Sequence, residues 1–335
     1  MEYRTLGKSG IRVSCVSFGA GPLAGLMVGS DQDAQRQVIA RSLQANINWV
    51  DTAASYGHGD SERALGAALR ACQGPEDLCI ATKVRLAADQ LDNIPKAIRQ
   101  SLEGSLQRLG VDRVTLLQLH NSVTSRRGDL PTSIDVQDVL GKQGVLSGLE
   151  QLRREGRVEH FGFTGLGDRR SLTELVSSGA FTSAQIPLNL LLPFSGRDRW
   201  AGSVDVDYER LAEDCSAGGI GVIAIRVFAG GALVGQDPSP HTHQTKFFTL
   251  DLFQRDRLRA EKLKQTLPAG LTPAEAALRF VLHKPEVTTA LIGFATPGQL
   301  DTAVRFAVKG PLEEAVLRRI DALDGPGQGT SDCPG

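Results

Sequence analysis

The chain has 335 residues, 41% of them hydrophobic and 22% charged, a balance typical of a water-soluble protein with a sizeable core, arranged as one large or two ordinary domains. Thirty-seven basic residues stand against 38 acidic ones, for a formal charge of -1, which offers no general attraction to nucleic acid or anionic lipid. The five cysteines, Cys15, Cys72, Cys79, Cys215 and Cys333, form no CxxC pair, and the amino terminus MEYRTLGKSG has no apolar leader. Reduced thiols in a cytoplasm are therefore expected, without cysteine-bound metal or a membrane span.

Taken in chain order, Arg4–Ser14 reads as a hairpin placed to cover one end of the body that follows. Eight short runs rich in Val, Ile and Leu then alternate with helical patterns. The strands are expected near Val16–Gly19, Ile47–Asp51, Leu78–Lys83, Val114–His120, His160–Thr164, Ser183–Pro187, Gly221–Arg226 and Thr289–Ile292. The helices are expected near Asp31–Ala45, Ser61–Arg70, Ile94–Leu109, Val145–Glu155, Ser171–Ser178, Asp207–Ala217, Pro273–His283 and Pro297–Phe306. Continuous rather than alternating apolar strands are those buried on both faces. Eight strand-then-helix units call for a parallel sheet with right-handed crossovers, and favour a closed (β/α)8 TIM barrel over an open doubly wound sheet with a second domain.

Residues 1–323 thus read as one barrel domain, and DGPGQGTSDCPG, residues 324–335, as a disordered tail. Three long stretches, Ser122–Gly144, Phe194–Val206 and Ala229–Gly270, follow the fourth, sixth and seventh strands. All three belong to the rim beyond the strands' carboxyl ends, where barrel chemistry is found.

Three consecutive strands end on an ionisable residue: INWVD on Asp51, LCIATK on Lys83 and VTLLQLH on His120. Tyr56 follows Asp51 in the loop DTAASYGHGDSER. Taken singly, each has a bland reading as a loop cap, a solvated strand end, a satisfied core histidine or a packed ring. Taken together at one rim they make an acid, a phenol, an ammonium and an imidazole converge. A phenol of ordinary pKa about 10 exchanges protons poorly near neutrality unless a cation stabilises its anion. Lys83 supplies that cation, and Asp51 keeps a buried lysine charged. Neutral His120 retains one N–H to orient a substrate oxygen. Such a set moves protons at an oxygen, and a cofactor must carry any hydride.

DTAASYGHGDSERALGAAL, the Lys83 strand end, LQLH and the later LEQLRREGRVEHFGFTGL together resemble the aldo-keto reductase superfamily, from about Tyr3 to Ala322. The resemblance implies a (β/α)8 barrel that binds NAD(P)H without a Rossmann fold, in keeping with the absence of GxGxxG. It implies Tyr56 as general acid/base, Lys83 and Asp51 as its tuning pair, and His120 as the group that orients the carbonyl. For the cofactor it implies Gln185 at the nicotinamide amide and Thr164 beside it, with Gly165 where an asparagine is frequent. Arg226 stands where many relatives stack an aromatic ring on the nicotinamide. Phe228, Ala229, Gly231 and Leu233 of FAGGAL would cover the pyrophosphate. Gly21, Ile292, Gly293 and Gln299 complete the set, and Asp301 stands either at the adenosine end or as a helix-surface carboxylate. Relatives that prefer NADP place a basic residue where this chain has Ala295, and no Lys or Arg occurs from Leu291 to Val304, so a preference for NAD is expected.

SFGAGPLAGL, LHNSVT, IPLNLLLP and AIRVFAGGAL resemble the branch containing aldose 1-dehydrogenases. This implies a sugar oxidised at C1 to its lactone; Asn121 stands either as a substrate contact or as a cap of its loop, and Trp200 either as a substrate contact or as a packing anchor. Reduction of an aldehyde or ketone is the alternative, and a regulatory subunit that only binds cofactor is a third reading. A metal-dependent hydrolase on His241 and His243 has little support, because HTH lacks a carboxylate at ligand spacing; no metal is expected.

Overall fold

The computed structural model describes residues 1–75, 77–191 and 206–322. Ten strands are found among them: β1 (Tyr3–Thr5), β2 (Arg12–Ser14), β3 (Val16–Gly19), β4 (Trp49–Asp51), β5 (Cys79–Val84), β6 (Val114–Leu119), β7 (Val158–Thr164), β8 (Ser183–Pro187), β9 (Gly221–Ile225) and β10 (Val287–Ile292). The last eight close into a parallel barrel in the order β10-β3-β4-β5-β6-β7-β8-β9, the TIM-barrel architecture that the strand-helix alternation predicts. Val16, Phe18, Val50, Leu117, Phe163, Ala184 and Val222 are all fully or almost fully buried, as strands covered on both faces must be.

Local chemistry fixes the surrounding helices. In Ile94–Leu109, Asn93 accepts from the Lys96 N–H, Pro95 sits in the first turn, and Gly110 ends the helix at φ 72°. Its buried positions, Ile94, Ala97, Ile98, Leu102, Leu106 and Leu109, form the stripe that packs on the barrel.

β1 and β2 pair antiparallel, Tyr3 opposite Ser14, and close the amino-terminal end as expected. Leu6 and Val13 from this hairpin pack on Trp49, Cys79, Ala81, Leu116 and Ile223 in a small cluster of their own. Lys8 N donates to Gly219 O at 2.8 Å, and Arg4 Nη1 donates to the Leu282 and Val287 carbonyls at 2.7 and 2.9 Å. The hairpin turn passes so close to the start of β9 that a Cβ on Gly7, itself at φ +50°, would lie 2.4 Å from Gly221 N. Only glycine fits there.

The long stretch Ala229–Gly270, for which the sequence shows no element, is largely helical. It contains the 3-10 turn Ala229–Val234, the short helix Pro240–Gln244 and a 17-residue helix, Leu250–Thr266. Leu252, Phe253, Ala260 and Leu263 face inward, but the charged Asp256 interrupts them on the same buried face. That break hides the apolar stripe within a charge-rich segment. Ser122–Gly144 likewise contains a helical turn, Val136–Leu140, capped by Asp135, and a further helix, Glu314–Asp321, follows the last expected one. Trp200, residues 194–205 and the tail 324–335 lie outside the described residues. No helix among the described residues is long and apolar enough to cross a membrane.

Candidate active site

Asp51 ends β4, Lys83 is the penultimate residue of β5, and His120 follows β6 directly. The closed parallel barrel therefore carries all three to one rim. Tyr56 opens the 3-10 turn Tyr56–Gly59, in which Gly57, His58 and Gly59 all have positive φ. Two buried residues pin this loop. Ser61 Oγ donates to Ala20 O at 2.7 Å and lies 2.8 Å from Thr52 Oγ1. Glu62 accepts from Thr82 Oγ1 at 2.6 Å and from Arg108 Nε at 2.7 Å. Much of the polarity of DTAASYGHGDSER thus holds the loop that presents Tyr56.

Lys83 Nζ sits between three oxygens. It is in contact with the Asp51 carboxylate, and donates to Thr52 O at 2.9 Å and to Tyr56 Oη at 3.2 Å. The Lys83 and Asp51 side chains are 1% and 2% exposed. Burial acts to drive the proton off Lys83, but the adjoining Asp51 carboxylate and Tyr56 outweigh it and hold the ammonium above the ordinary lysine value. The Tyr56 and His120 rings meet edge to face, centroids 5.6 Å apart, and Ser55 Oγ lies 3.4 Å from His120 Nδ1. Burial first, then the cations Arg85 and Lys83, push the His120 pKa well below its usual value. The imidazole is neutral throughout the physiological range.

Asp51, Tyr56 and His120 line a cavity of about 700 Å³ over the strand ends. The Aldo/keto reductase family pattern matches residues 16–325, and so spans the barrel and every part of this site. The chain belongs to the aldo/keto reductase family. It is 26% identical to L-galactose dehydrogenase of Arabidopsis thaliana, over 96% of this chain and 94% of that one. It is 25% identical to pyridoxal 4-dehydrogenase of Microbacterium luteolum, over 89% and 91%. The holo form of an aldo-keto reductase from Bacillus halodurans superposes with a TM-score of 0.71 over 96% of each chain, at 24% identity, a likeness of fold. The protein is an oxidoreductase acting on carbonyl or alcohol groups, of a family that uses nicotinamide cofactors.

The cavity of this aldo/keto reductase fits such a cofactor, because Gly21, Thr164, Gln185, Arg226 and Gly293 share its wall with Tyr56. Gln185 Nε2 donates to Asp51 Oδ2 at 2.7 Å, tying its carboxamide to the buried pair. Thr164 Oγ1 donates to Leu119 O at 3.2 Å. A Cβ on Gly21 would meet the Tyr56 ring at 3.7 Å, in ordinary contact. Gly165 lies behind the wall. A Cβ there would stand 3.2 to 3.4 Å from Leu211, Gln185 and Ile186, so this backbone leaves little room for an asparagine. Arg226, at φ 57°, lays its guanidinium 3.8 Å from the Phe248 ring centroid. Phe228, Ala229, Gly231 and Leu233 form the turn directly after it, in which Ala229, Gly230 and Gly231 have positive φ. Ile292 is buried at the end of β10. Gln299 Oε1 accepts from Ala295 N at 2.8 Å and closes the approach to the helix Pro297–Ala307.

The structure places Asn121 and Asp301 as follows. Asn121 is fully buried and spends its amide on backbone, accepting from Leu86 N at 2.8 Å and donating to the Leu86 and Thr132 carbonyls at 2.9 and 2.7 Å. It is therefore a tie between loops, with no group left for a substrate. Asp301 is a partly exposed helix carboxylate that accepts from Arg41 Nε at 2.6 Å through Oδ1. That pairing also brings a basic residue from the first helix, Gln32–Gln44, to a region whose own sequence has none. Sequence reasoning missed Arg85, Lys246, Phe247 and Phe248, and weighed His241 only as a metal ligand; all five line the cavity. For Arg85 a signal existed, since it follows β5 directly, two residues after Lys83, and so belongs to the same rim. His241 and His243 lie on Pro240–Gln244, and among the described residues no group of three metal-ligating side chains occurs.

The neutral His120 sets a pH dependence of stability. An unfolded histidine takes up a proton near pH 6.5, whereas folded His120 resists doing so. This contribution is complete above about pH 6.5 and is lost as pH falls below it. In urea titrations between pH 7.5 and 5, His120→Asn should lose less stability on acidification than the native protein. Parallel losses would assign the acid sensitivity to other groups.

Proposed function

We propose that the protein oxidises an aldose at C1 to its lactone, with NAD as the preferred acceptor. The observation that carries this reading is the meeting of Asp51, Tyr56 and His120 at one cavity, with buried Lys83 in contact with Asp51 and Tyr56. Similarity to L-galactose dehydrogenase along nearly the whole chain supports the choice of substrate class. Tyr56, in its phenolate form, takes the proton of the anomeric hydroxyl and becomes the neutral phenol. The Lys83 ammonium, 3.2 Å away, stabilises that phenolate before the proton arrives, and Asp51 keeps the ammonium protonated. His120 donates a hydrogen bond to the same substrate oxygen. The bound nicotinamide supplies the hydride acceptor, which no side chain can provide.

Gln185, Thr164, Gly21, Gly293 and Arg226 would hold the nicotinamide half. The turn Phe228–Leu233, Gln299 and the start of the last barrel helix would hold the rest. Two features favour NAD: Ala295 with no Lys or Arg from Leu291 to Val304, and the neutralisation of Arg41 by Asp301. Steady-state kinetics should give kcat/KM at least about tenfold higher with NAD than with NADP. The opposite order would mean that Arg41 leaves Asp301 for the 2′-phosphate. Free thiols at Cys15, Cys72, Cys79 and Cys215 support placing this activity in a reducing cytoplasm.

The same residues run in reverse reduce an aldehyde or ketone, and Leu23, Leu166, Phe247 and Phe248 in the cavity wall favour that second reading for apolar carbonyl compounds. Absorbance of the reduced cofactor separates the two. NADH formed with one aldose and not with its epimers supports the dehydrogenase. Silence on sugars with NADH consumed by aldehydes transfers the reading to a reductase.

A further inference from the structure

One cavity group has no task in that chemistry. Arg85 lies two residues beyond Lys83 and shares the cavity wall with Tyr56 and His120. Its Nε and Nη2 both lie 3.4 Å from His120 O, long contacts for a side chain with five N–H donors. Among the described residues no carboxylate pairs with it. The one acid of the cavity wall, Asp51, is already taken by Lys83 and Gln185. The Arg85 guanidinium carbon lies 5.2 Å from the Phe247 ring centroid, within cation–π reach, a contact that leaves its N–H donors unused. The adjacent residue, Phe248, carries Arg226 in the same way, and Lys246 stands beside them in the wall. The cavity therefore holds an excess of positive charge around a half-buried guanidinium with no carboxylate partner among the described residues. Such a group is costly unless its counter-ion arrives with the ligand.

We propose that Arg85 anchors an oxyanion of the substrate, a carboxylate or phosphate carried away from the reacting carbon. The substrate class is then an acidic hydroxy or carbonyl compound, such as a sugar bearing a carboxylate. This rests on the proposed function in taking the cavity over Tyr56 as the site of hydride exchange.

The test uses the full chain with NADH and three aldehydes: 4-carboxybenzaldehyde, its neutral methyl ester and 4-formylphenyl phosphate. Calorimetry alongside measures 4-(hydroxymethyl)benzoate and its methyl ester binding to the protein with NAD. The expected result is a kcat/KM at least about tenfold higher for a charged aldehyde than for the ester, arising in KM. Whichever anion leads identifies the source of the oxyanion. Arg85→Gln should bring the ratio near one, and Arg85→Lys, which keeps the charge without the planar fork, should keep only part of it. Equal rates for acid and ester, or a preference that survives in Arg85→Gln, would overturn the anchor while leaving the oxidoreductase reading intact. If neither aldehydes nor aldoses turn over, that reading fails and calorimetry decides the anchor. Tighter binding of the acid, lost in Arg85→Gln, sustains it; equal or absent binding overturns it. Should Arg85→Gln not fold by circular dichroism, Arg85→Lys decides, and an unchanged ratio counts against the proposal.

Discussion

A Tyr56→Phe variant is expected to lose about a thousandfold or more in kcat while binding the reduced cofactor as well as the native protein. The substitution removes one oxygen and keeps the ring. The edge-to-face packing on His120 and the wall beside Gly21 survive, and Lys83 keeps Asp51 and Thr52 O as partners. What disappears is the hydroxyl that the Lys83 ammonium contacts at 3.2 Å and that faces the cavity; the Asp51 carboxylate stays bound to Lys83 and Gln185. General acid–base catalysis is typically worth about a hundredfold to ten-thousandfold, so the fall should lie in kcat, with dissociation constants from NADH fluorescence unmoved. This comparison also separates an enzyme from a subunit that binds cofactor only to report redox state. Such a subunit would show the same behaviour with and without the phenol, and a Tyr56→Phe protein with native turnover would remove Tyr56 from the chemistry.

The elements most legible in the sequence were those with punctuation at both ends. Asn93, Pro95 and Gly110 frame the helix Ile94–Leu109 at its observed bounds, and β8 spans Ser183–Pro187 as expected. Ile47 misled at the start of β4. It is buried, but Asn46 has positive φ and Ile47 N still bonds Ser42 O, so it closes the preceding helix and the strand begins at Trp49. The four converging side chains were legible because each lies at or just after a strand end, and a barrel gathers strand ends. The cavity's other face was not. Arg85 meets Phe247, and Gln185 meets Asp51, 134 residues apart, only through the closure of the barrel. Arg41 meets Asp301 across 260 residues for the same reason. Asn121 shows the converse limit: an amide beside a site residue serves backbone groups as readily as a ligand, and sequence does not distinguish the two.

The largest effect on stability is expected from the Asp51–Lys83 pair. Both side chains are almost fully buried, and removing one partner leaves the other as an uncompensated charge in the barrel. Lys83→Met should therefore cost about 3 to 5 kcal/mol, read as a lower urea midpoint at unchanged slope, in addition to abolishing turnover. Asp51→Asn should cost less. The amide keeps an acceptor for Lys83 Nζ, and the ammonium still reaches Thr52 O and Tyr56 Oη, although Gln185 loses the charged half of its bond. The double variant Asp51→Asn, Lys83→Met removes both charges together. It should recover much of the stability lost by Lys83→Met alone and recover no activity, because the ammonium facing Tyr56 is still missing. This split between stability and turnover distinguishes a pair retained for chemistry from one retained for folding. If stability and activity return together in the double variant, Lys83 acts only as Asp51's counter-ion, and the charge that assists Tyr56 must come from elsewhere.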